Sequence, residues 1–202
     1  MAFDADLLRK CADPSLKPAI VEQFVRQGGS PDPLAVTVRS GNRIILVSPA
    51  KTSEQALALV REHVRKAVVR VGVTQFPAGI GIRDASELNP ALVDPCENIR
   101  MGTALFGKVW RIVFKWYGNP TSEEVMPQVL EDALHAWQTG QFEGAAVFSA
   151  PDPGEPRAAK QRREDVPQLS PATAPAPSDA SAVDPNKAAI RVDLSGIGGK
   201  AP

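Results

Sequence analysis

The side chains best suited to covalent or metal chemistry, two cysteines and two histidines, are few and far apart. Cys11 and Cys96 are too distant for a C-x-x-C pair, and no Cys/His cluster has the spacing of a zinc site. His63 and His135 lack a serine and an acidic residue at a spacing typical of a nucleophilic triad. We therefore expect no metal and no cofactor. On the residues alone, the cysteines are interpreted as two buried thiols of a cytosolic protein.

The overall charge gives no electrostatic attraction to a polyanion. The 202 residues carry 23 Lys and Arg against 23 Asp and Glu, a formal net charge of zero, so we expect no direct nucleic-acid binding. No apolar run approaches the ~20 residues that span a bilayer, which predicts a protein that is not integral to the membrane. The first eleven residues lack the apolar stretch of a secretory signal, which favours a cytoplasmic location.

One helix within residues 94–119 is predicted to organise the fold. Asp94 suits the N-cap, Pro95 needs no N–H in the first turn, and Gly118 suits the left-handed residue that closes a helix. Apolar groups recur along one face at steps of three and four residues: Ile99, Gly102, Phe106, Val109, Val113 and Trp116. Others, such as Trp110, lie on different faces, so neighbours should surround this helix.

Shorter helices and one hairpin are predicted around it. A helix opening at Asp13 should stop at Gly28, and two β-branched runs around a Gly-Asn turn at residues 34–47 should form the hairpin. A capping box at Thr52 opens a third helix. A last helix starts either at Thr121 or, because proline suits a first helical turn, at Pro127. Residues 67–76 fit a strand, a helix end followed by an extended loop, or both in part.

The composition changes after about residue 150. Residues 151–187 are rich in Pro, Ala, Ser and charge, with almost no large apolar groups, which predicts disorder. The closing motif, residues 188–200, contains an Ile-Arg-Val-Asp-Leu alternation that suits a strand added to a partner's sheet edge, although a bare tail is the favoured interpretation. We therefore predict one domain over residues 1–150 and a tail over 151–202.

Several short segments, in this order, resemble the lytic transglycosylases of type IV secretion and conjugation machines. They are residues 8–21, Pro33-Leu-Ala-Val, Gly72-Val-Thr-Gln75, Asp94-Pro-Cys-Glu-Asn-Ile with Gly102, and Ala136-Trp-Gln-Thr-Gly140. The whole chain also resembles the TraH family of conjugal transfer proteins encoded on conjugative plasmids. The resemblance implies a mainly α (α+β), lysozyme-like domain with a small hairpin. It further implies peptidoglycan or a conjugation or type IV secretion protein as partner, and a periplasmic location.

The resemblance also assigns a site. The resemblance implies that Gln75, Asn98, Trp137, Gln138 and Gly140 border a sugar groove. It also implies that Cys11 and Cys96 are candidates for a disulfide. From the residues alone, Gln75 either binds sugar amides or hydrogen-bonds loop backbone, and the two interpretations weigh about equally. Asp84 and Glu87, in the loop after Gln75, could bring a carboxylate to a groove, but ordinary surface acids are the favoured interpretation.

The departure from the family concerns its catalytic glutamate. That residue should stand three positions after the Ala-Ile-Val run, where this chain has Phe24, and counting back from the later motif reaches Arg26 or Gln27. Cleavage of a glycosidic bond needs a carboxyl with a raised pKa, and phenylalanine has none. Glu22 is the nearest carboxylate, but it lies about 200° around the helix from Phe24 and is interpreted as solvent-facing.

These residues favour a non-catalytic or weakly catalytic domain that acts as an accessory factor in conjugal transfer. One alternative is an active peptidoglycan lytic transglycosylase that uses Glu22 or a loop carboxylate. Another is a cytoplasmic helical adaptor that shares only the fold.

Overall fold

A computed structural model of the chain describes residues 4–154, so the predicted tail and its closing motif at 188–200 lie outside the described residues. The described part confirms a mainly helical, mixed fold with a small antiparallel sheet. Its helices are α1 Ala5–Cys11, α2 Pro18–Gly28, α3 Ser53–His63, α4 Pro95–Trp116 and α5 Met126–Thr139; its strands are β1 Val36–Ser40, β2 Arg43–Ile45, β3 Val68–Val71, β4 Phe76–Pro77, β5 Gln141–Phe142 and β6 Ala145–Ala146. Within residues 4–154, no helix has the length and apolar character needed to cross a bilayer.

The central helix α4 begins and ends as predicted. The Asp94 carboxylate accepts a hydrogen bond from the Glu97 N–H at 2.8 Å, and Pro95 occupies the first turn. After the last turn Gly118 has φ +76°, its N–H donates to the Lys115 carbonyl at 2.9 Å, and the next N–H donates to the Phe114 carbonyl at 3.0 Å. These two bonds form a Schellman motif, which a left-handed glycine allows.

Helices α1, α2 and α5 pack around α4 and form the larger core. The inward face of α4 is fully buried at Ile99, Phe106, Val109 and Val113, as its spacing predicts. Trp116, predicted on the same face, is instead 58% exposed. Trp116 is the last residue of α4, and its ring contacts Tyr117 and Phe142 edge-on.

The four-stranded sheet has the order β2-β1-β3-β4, with every pair antiparallel. The predicted hairpin is β1 and β2, paired from Val38 with Ile45 to Ser40 with Arg43. Residues 67–76 supply strand β3 and a turn, which settles the alternatives left open by the sequence. One sheet face packs on α3 and forms a second core around Val38, Val60 and Val71.

One helix start differs from the prediction, and another decides between two predicted positions. Helix α2 begins at Pro18 rather than at Asp13, because the Asp13 carboxylate caps the Ser15 N–H at 2.8 Å in a local turn. The last helix begins at Met126, one residue before the predicted alternative at Pro127 and five after Thr121. A short 3-10 turn capped by Ser122 precedes it.

A disulfide joins α1 to the first turn of α4. Cys11 and Cys96 are bonded, with their Cα atoms 5.2 Å apart. The interpretation of two free buried thiols is therefore wrong, because the two helices cross where both cysteines can meet.

Two basic side chains of α4, Lys108 and Arg111, hold the segment that follows α5; we call them the basic stripe. The Lys108 ammonium donates to the Phe148 carbonyl at 3.0 Å, and the Arg111 guanidinium binds the Asp152 carboxylate through two hydrogen bonds of 2.9 and 2.5 Å. The guanidinium lowers the pKa of Asp152 to about 2. This stripe therefore secures the end of the described chain instead of facing solvent alone.

Candidate functional site

Phe24, at the position where the resemblance expects the catalytic glutamate, lies in a closed aromatic cluster. Its ring is 0% exposed. It stacks on Phe106 with centroids 4.0 Å apart and meets the edge of Trp137 at 5.1 Å. Phe148 packs against the other side of the Trp137 indole at 5.5 Å. The place that would hold an acid is thus filled by packed hydrocarbon.

No carboxylate is buried anywhere within residues 4–154; the buried polar side chains there are Thr74, Asn98 and Thr103. Glu22 is exposed, as predicted, at the edge of a cavity of about 200 Å³ between α1 and α2. Nor does that part of the chain bring three metal-binding side chains together. The full burial that strips water from a carboxyl is therefore found at none of these acids.

The loop acids Asp84 and Glu87 accept hydrogen bonds from backbone N–H groups of the turn in which they lie. The Asp84 carboxylate accepts a hydrogen bond from the Ser86 N–H at 2.9 Å. This hydrogen bond lowers the pKa of Asp84. The Glu87 carboxylate accepts from the Arg83 N–H at 2.7 Å. Both residues cap a surface turn, which agrees with their interpretation as ordinary surface acids.

Asn98 holds the turn after β3 against α4. Its side chain is 1% exposed. The amide oxygen accepts from the Thr74 N–H and from the Thr74 hydroxyl, each at 2.9 Å. The amide nitrogen donates to the Val71 carbonyl at 3.0 Å and to the Leu92 carbonyl at 2.8 Å. All four bonding positions of the amide are used inside the protein, so Asn98 does not face a groove as the resemblance implies.

Two glycines let the same turn approach α4 closely. A Cβ on Gly72 would lie 2.5 Å from the Asn98 amide nitrogen, and Gly72 also has φ +74°. A Cβ on Gly102 would lie 2.1 Å from the Thr74 hydroxyl oxygen. The motifs that resemble the transglycosylases at residues 72–75 and 94–102 therefore meet in space as a packing unit.

Gln75 ends this turn with its amide bonded inside the fold. The amide oxygen accepts from the Thr37 hydroxyl at 2.7 Å, and the amide nitrogen donates to the Gly72 carbonyl at 3.0 Å. The residue has φ +51°, which is uncommon for a side chain other than glycine. This geometry agrees with the interpretation of Gln75 as a backbone-bonding residue, and sugar binding by it stays a prediction.

The other three predicted groove residues lie at the end of α5, and each has different surroundings. Trp137 is 0% exposed and its indole nitrogen has no hydrogen-bond partner within the described part of the chain, so it belongs to the aromatic cluster instead of a groove wall. Gln138 is exposed. Gly140 closes α5 with φ +76°, and a Cβ there would lie 3.2 Å from the Phe148 ring.

Arg70 connects these residues, and sequence reasoning missed it. Its guanidinium donates to the carbonyls of Trp137 at 2.5 Å and Gln138 at 3.0 Å, at the negative end of α5, and to the Gln75 carbonyl at 3.2 Å. Burial, and next the charge of Arg39, lower the pKa of Arg70 to about 10, so it stays protonated at neutral pH. Because the sequence left residues 67–76 unassigned, nothing showed which face of a strand Arg70 would take.

A concave surface larger than the cavity beside Glu22 lies elsewhere. A groove of about 890 Å³ runs between α2, α4 and the start of α5; we call it the α2–α4 groove. Its apolar lining includes Ile20, Trp110, Phe114, Met126 and Leu130, and its polar and charged lining includes Lys17, Gln23, Arg111 and Glu123. Trp110 and Phe114 stack at 6.1 Å. The sequence predicted that neighbours would surround Trp110, whereas Trp110 and Phe114 are half-buried and line this groove.

The described part is thus a helix-rich α+β domain with a disulfide, a sealed aromatic cluster at the expected catalytic position, and an open apolar groove. The chain belongs to the TraH_2 family, whose sequence profile matches residues 2–199, and it is a conjugal-transfer-related protein.

A relative from Sinorhizobium fredii (strain NBRC 101917 / NGR234), called "Uncharacterized protein y4dP", is 54% identical over 202 residues, covering 98% of this chain and 99% of the relative. No solved structure is significantly similar to the chain.

Proposed function

We propose that this chain is a non-catalytic accessory protein of conjugal transfer, with a degenerate lysozyme-like domain that binds instead of cleaving. The observation that carries the proposal is the packing of Phe24. Because its ring is fully buried against Phe106 and Trp137, the region has neither a carboxyl nor room for a sugar ring beside one. A glycosidase acid must reach the glycosidic oxygen.

The degenerate transglycosylase origin rests on the way the resembling motifs assemble. The turn at residues 72–75 packs on Asn98 and Gly102 of α4, and the segment at residues 136–140 ends α5 beside the Gln75 carbonyl through Arg70. Segments that are distant in sequence thus meet around one central helix. Retention of such a framework without the acid favours a binding role over a catalytic one.

The α2–α4 groove is the surface we propose for this binding, and a segment of a conjugation-channel protein is the partner it suits best. Its lining is mainly aliphatic and aromatic, and its charged members are Lys17, Arg111 and Glu123. Buried apolar centres with polar rims are typical of protein interfaces. Peptidoglycan, whose glycan strands are polar, suits this lining less well.

The disulfide supports a location outside the reducing cytosol. Disulfides persist in oxidising compartments, where peptidoglycan and the outer parts of a secretion channel also lie. Cell fractionation followed by thiol labelling, with and without prior reduction, tests this location. Labelling of Cys11 and Cys96 before reduction would place the protein in a reducing compartment and favour the cytoplasmic adaptor.

Zymography tests the missing activity. The wild-type chain, run on a non-reducing gel that contains peptidoglycan beside an active lytic transglycosylase, should clear no band. A cleared band that disappears in Glu22→Gln would overturn the proposal in favour of the active enzyme.

Capture experiments test the binding role. Trp110→Ala should lower capture of conjugation-channel proteins from cells carrying the plasmid by at least about tenfold, since truncating a central aromatic residue of an interface costs ~2 kcal/mol or more. The matched control is Trp116→Ala on the same helix, because Trp116 lies outside the groove. Equal losses in the two variants would contradict binding in the groove, and sedimentation of the wild type with purified sacculi would favour peptidoglycan instead.

A further inference from the structure

Large apolar side chains of the sheet lie in solvent at and beside its edge strand β2. Within residues 4–154 this strand pairs only with β1. Ile44 is 60% exposed, and Leu46, directly after the strand, is 94% exposed. On β3, Val68 is 54% exposed. Contiguous exposed apolar side chains are typical of a surface that contacts another protein or a membrane.

An arginine lies between two of these apolar side chains. In the registers of β2, β1 and β3, Ile44 lies opposite Arg39, and Arg39 lies opposite Val68. The three side chains therefore share one face, since directly paired residues of a sheet point the same way. Apolar and basic groups are thus interleaved on this face.

The segments that form the sheet contain basic residues and no acidic ones. Residues 33–53, which include β1 and β2, contain Arg39, Arg43 and Lys51 and no Asp or Glu. Residues 64–83, which include β3 and β4, contain four Lys and Arg and again no Asp or Glu. Because the whole chain is formally neutral, its acidic side chains are concentrated elsewhere, and the sheet is a locally basic region.

The basic side chains beside the exposed apolar ones are themselves exposed and lack acidic partners. Arg39, Arg43 and Lys66 are all exposed. Within residues 4–154 none of the three forms an ion pair with a carboxylate. Positive charges without such partners attract anions. We call the surface formed by Arg39, Arg43, Ile44, Leu46, Lys66 and Val68 the basic–apolar patch.

The chemistry of this patch favours an anionic lipid bilayer over a nucleic acid. Single-stranded nucleic acids are bound by basic surfaces with aromatic side chains on which the bases stack, whereas the apolar members of the patch are all aliphatic. Aliphatic side chains enter the boundary between lipid headgroups and acyl chains, and neighbouring Lys and Arg side chains attract the lipid phosphates. A bilayer surface therefore satisfies the apolar and the charged members together.

We propose that the basic–apolar patch docks this protein on the surface of a bilayer that contains anionic phospholipid. Ile44 and Leu46 enter the interface, and Arg39 and Arg43 bind lipid phosphate groups. The contact is peripheral, since side chains enter the interface and the backbone of the sheet stays outside the hydrocarbon. The proposal concerns the sheet and depends neither on the α2–α4 groove nor on the loss of glycan cleavage.

Sedimentation with lipid vesicles tests the docking. The full-length, disulfide-bonded chain should bind vesicles of phosphatidylcholine and phosphatidylglycerol at about 2:1 at least about tenfold more strongly than vesicles of phosphatidylcholine alone. Binding should weaken as the NaCl concentration rises from about 0.1 M to about 0.5 M, because salt screens the charges. Absence of binding to the anionic vesicles at the lower salt concentration would overturn the proposal, and so would equal binding to the two kinds of vesicle.

Substitutions in the patch test its two kinds of contact. Leu46→Ser should lower the partition coefficient by at least about tenfold, because it removes an apolar group from the interface. Arg43→Gln should lower it by about fivefold, the loss expected for one basic side chain near an anionic surface. Both residues are exposed, so the fold should tolerate these changes.

Two matched controls lie outside the sheet. Trp116→Ser removes an exposed apolar side chain of α4, and Lys10→Gln removes an exposed basic side chain of α1. Both variants should bind vesicles as the wild type does. Losses in these controls equal to those in Leu46→Ser and Arg43→Gln would overturn the assignment of binding to the patch.

Two further measurements distinguish other occupants of the patch. Binding to single-stranded DNA that is lost in Arg43→Gln and kept in Leu46→Ser would assign the patch to nucleic acid and overturn the proposal. A dimer seen by size-exclusion chromatography without lipid, and converted to a monomer by Leu46→Ser, would assign the edge of β2 to a second copy of the chain instead. The proposal predicts neither result.

Discussion

Asn98→Ala should destabilise the protein strongly although it removes only one small polar group. In the wild type the amide bonds Thr74, Val71 and Leu92, and its side chain is 1% exposed. The substitution leaves one N–H and two carbonyls without these partners. A buried polar group that loses its partner costs about 1–3 kcal/mol.

The expected loss of unfolding free energy is about 3–4 kcal/mol, because a water molecule in the vacated space would restore part of the bonding. For a protein of this size that corresponds to a fall in melting temperature of about 6–16 °C. Reversible urea unfolding followed by circular dichroism, under non-reducing conditions, measures the free energy directly.

Asn89→Ala is the matched control. Asn89 is exposed, and its side-chain oxygen caps a single N–H, that of Ala91, at 2.9 Å. Its loss should cost about 1 kcal/mol. If the two alanine variants unfold at the same urea concentration, Asn98 does not hold the turn to α4, and its assignment as an open groove residue would regain support.

Three further perturbations have signed outcomes. Reduction of the disulfide should lower the unfolding free energy by up to about 4–5 kcal/mol, the chain-entropy value for a loop of 85 residues; an unchanged melting temperature in dithiothreitol would contradict this. Asp152→Asn should be less stable than wild type above about pH 4, and the difference should vanish as the pH falls to about 2, because Arg111 lowers the pKa of Asp152 to about 2; a pH-independent difference would refute the pairing. Arg70→Met should cost about 2–4 kcal/mol in urea unfolding by removing charged hydrogen bonds to the end of α5, whereas a loss under 0.5 kcal/mol would show that these bonds are replaced by water.

Local signals predicted the helices and the hairpin well because their causes are local. Asp94 and Gly118 act through the backbone within a few residues of themselves, so the bounds of α4 follow from sequence. The predicted start of α2 was wrong because Asp13 is an equally good cap for a short turn. Only tertiary packing decides between the turn and the helix. Its N–H donates to the Thr103 hydroxyl of α4 at 2.8 Å, a contact across 90 residues.

The candidate site was harder to predict because its residues depend on distant partners. Asn98 was assigned to a groove by resemblance, and its burial follows from Gly72 and Thr74, which lie more than twenty residues earlier. Arg70 carried no signal without a strand assignment. The sequence also did not predict that Trp110 and Phe114 line a groove. Apolar spacing indicates which side chains can be buried, but it does not show where a neighbouring element is missing.

The proposed function depends most on Phe24, whose position is filled by packed aromatic rings and offers no acid to cleave glycan. The most direct measurement is the release of soluble muropeptides from purified sacculi by the full-length, disulfide-bonded chain, detected by mass spectrometry. We expect no release above that from a buffer blank, at any pH between about 4 and 8, because no carboxylate within residues 4–154 is buried. Release that follows enzyme concentration and is abolished in Glu22→Gln would contradict it.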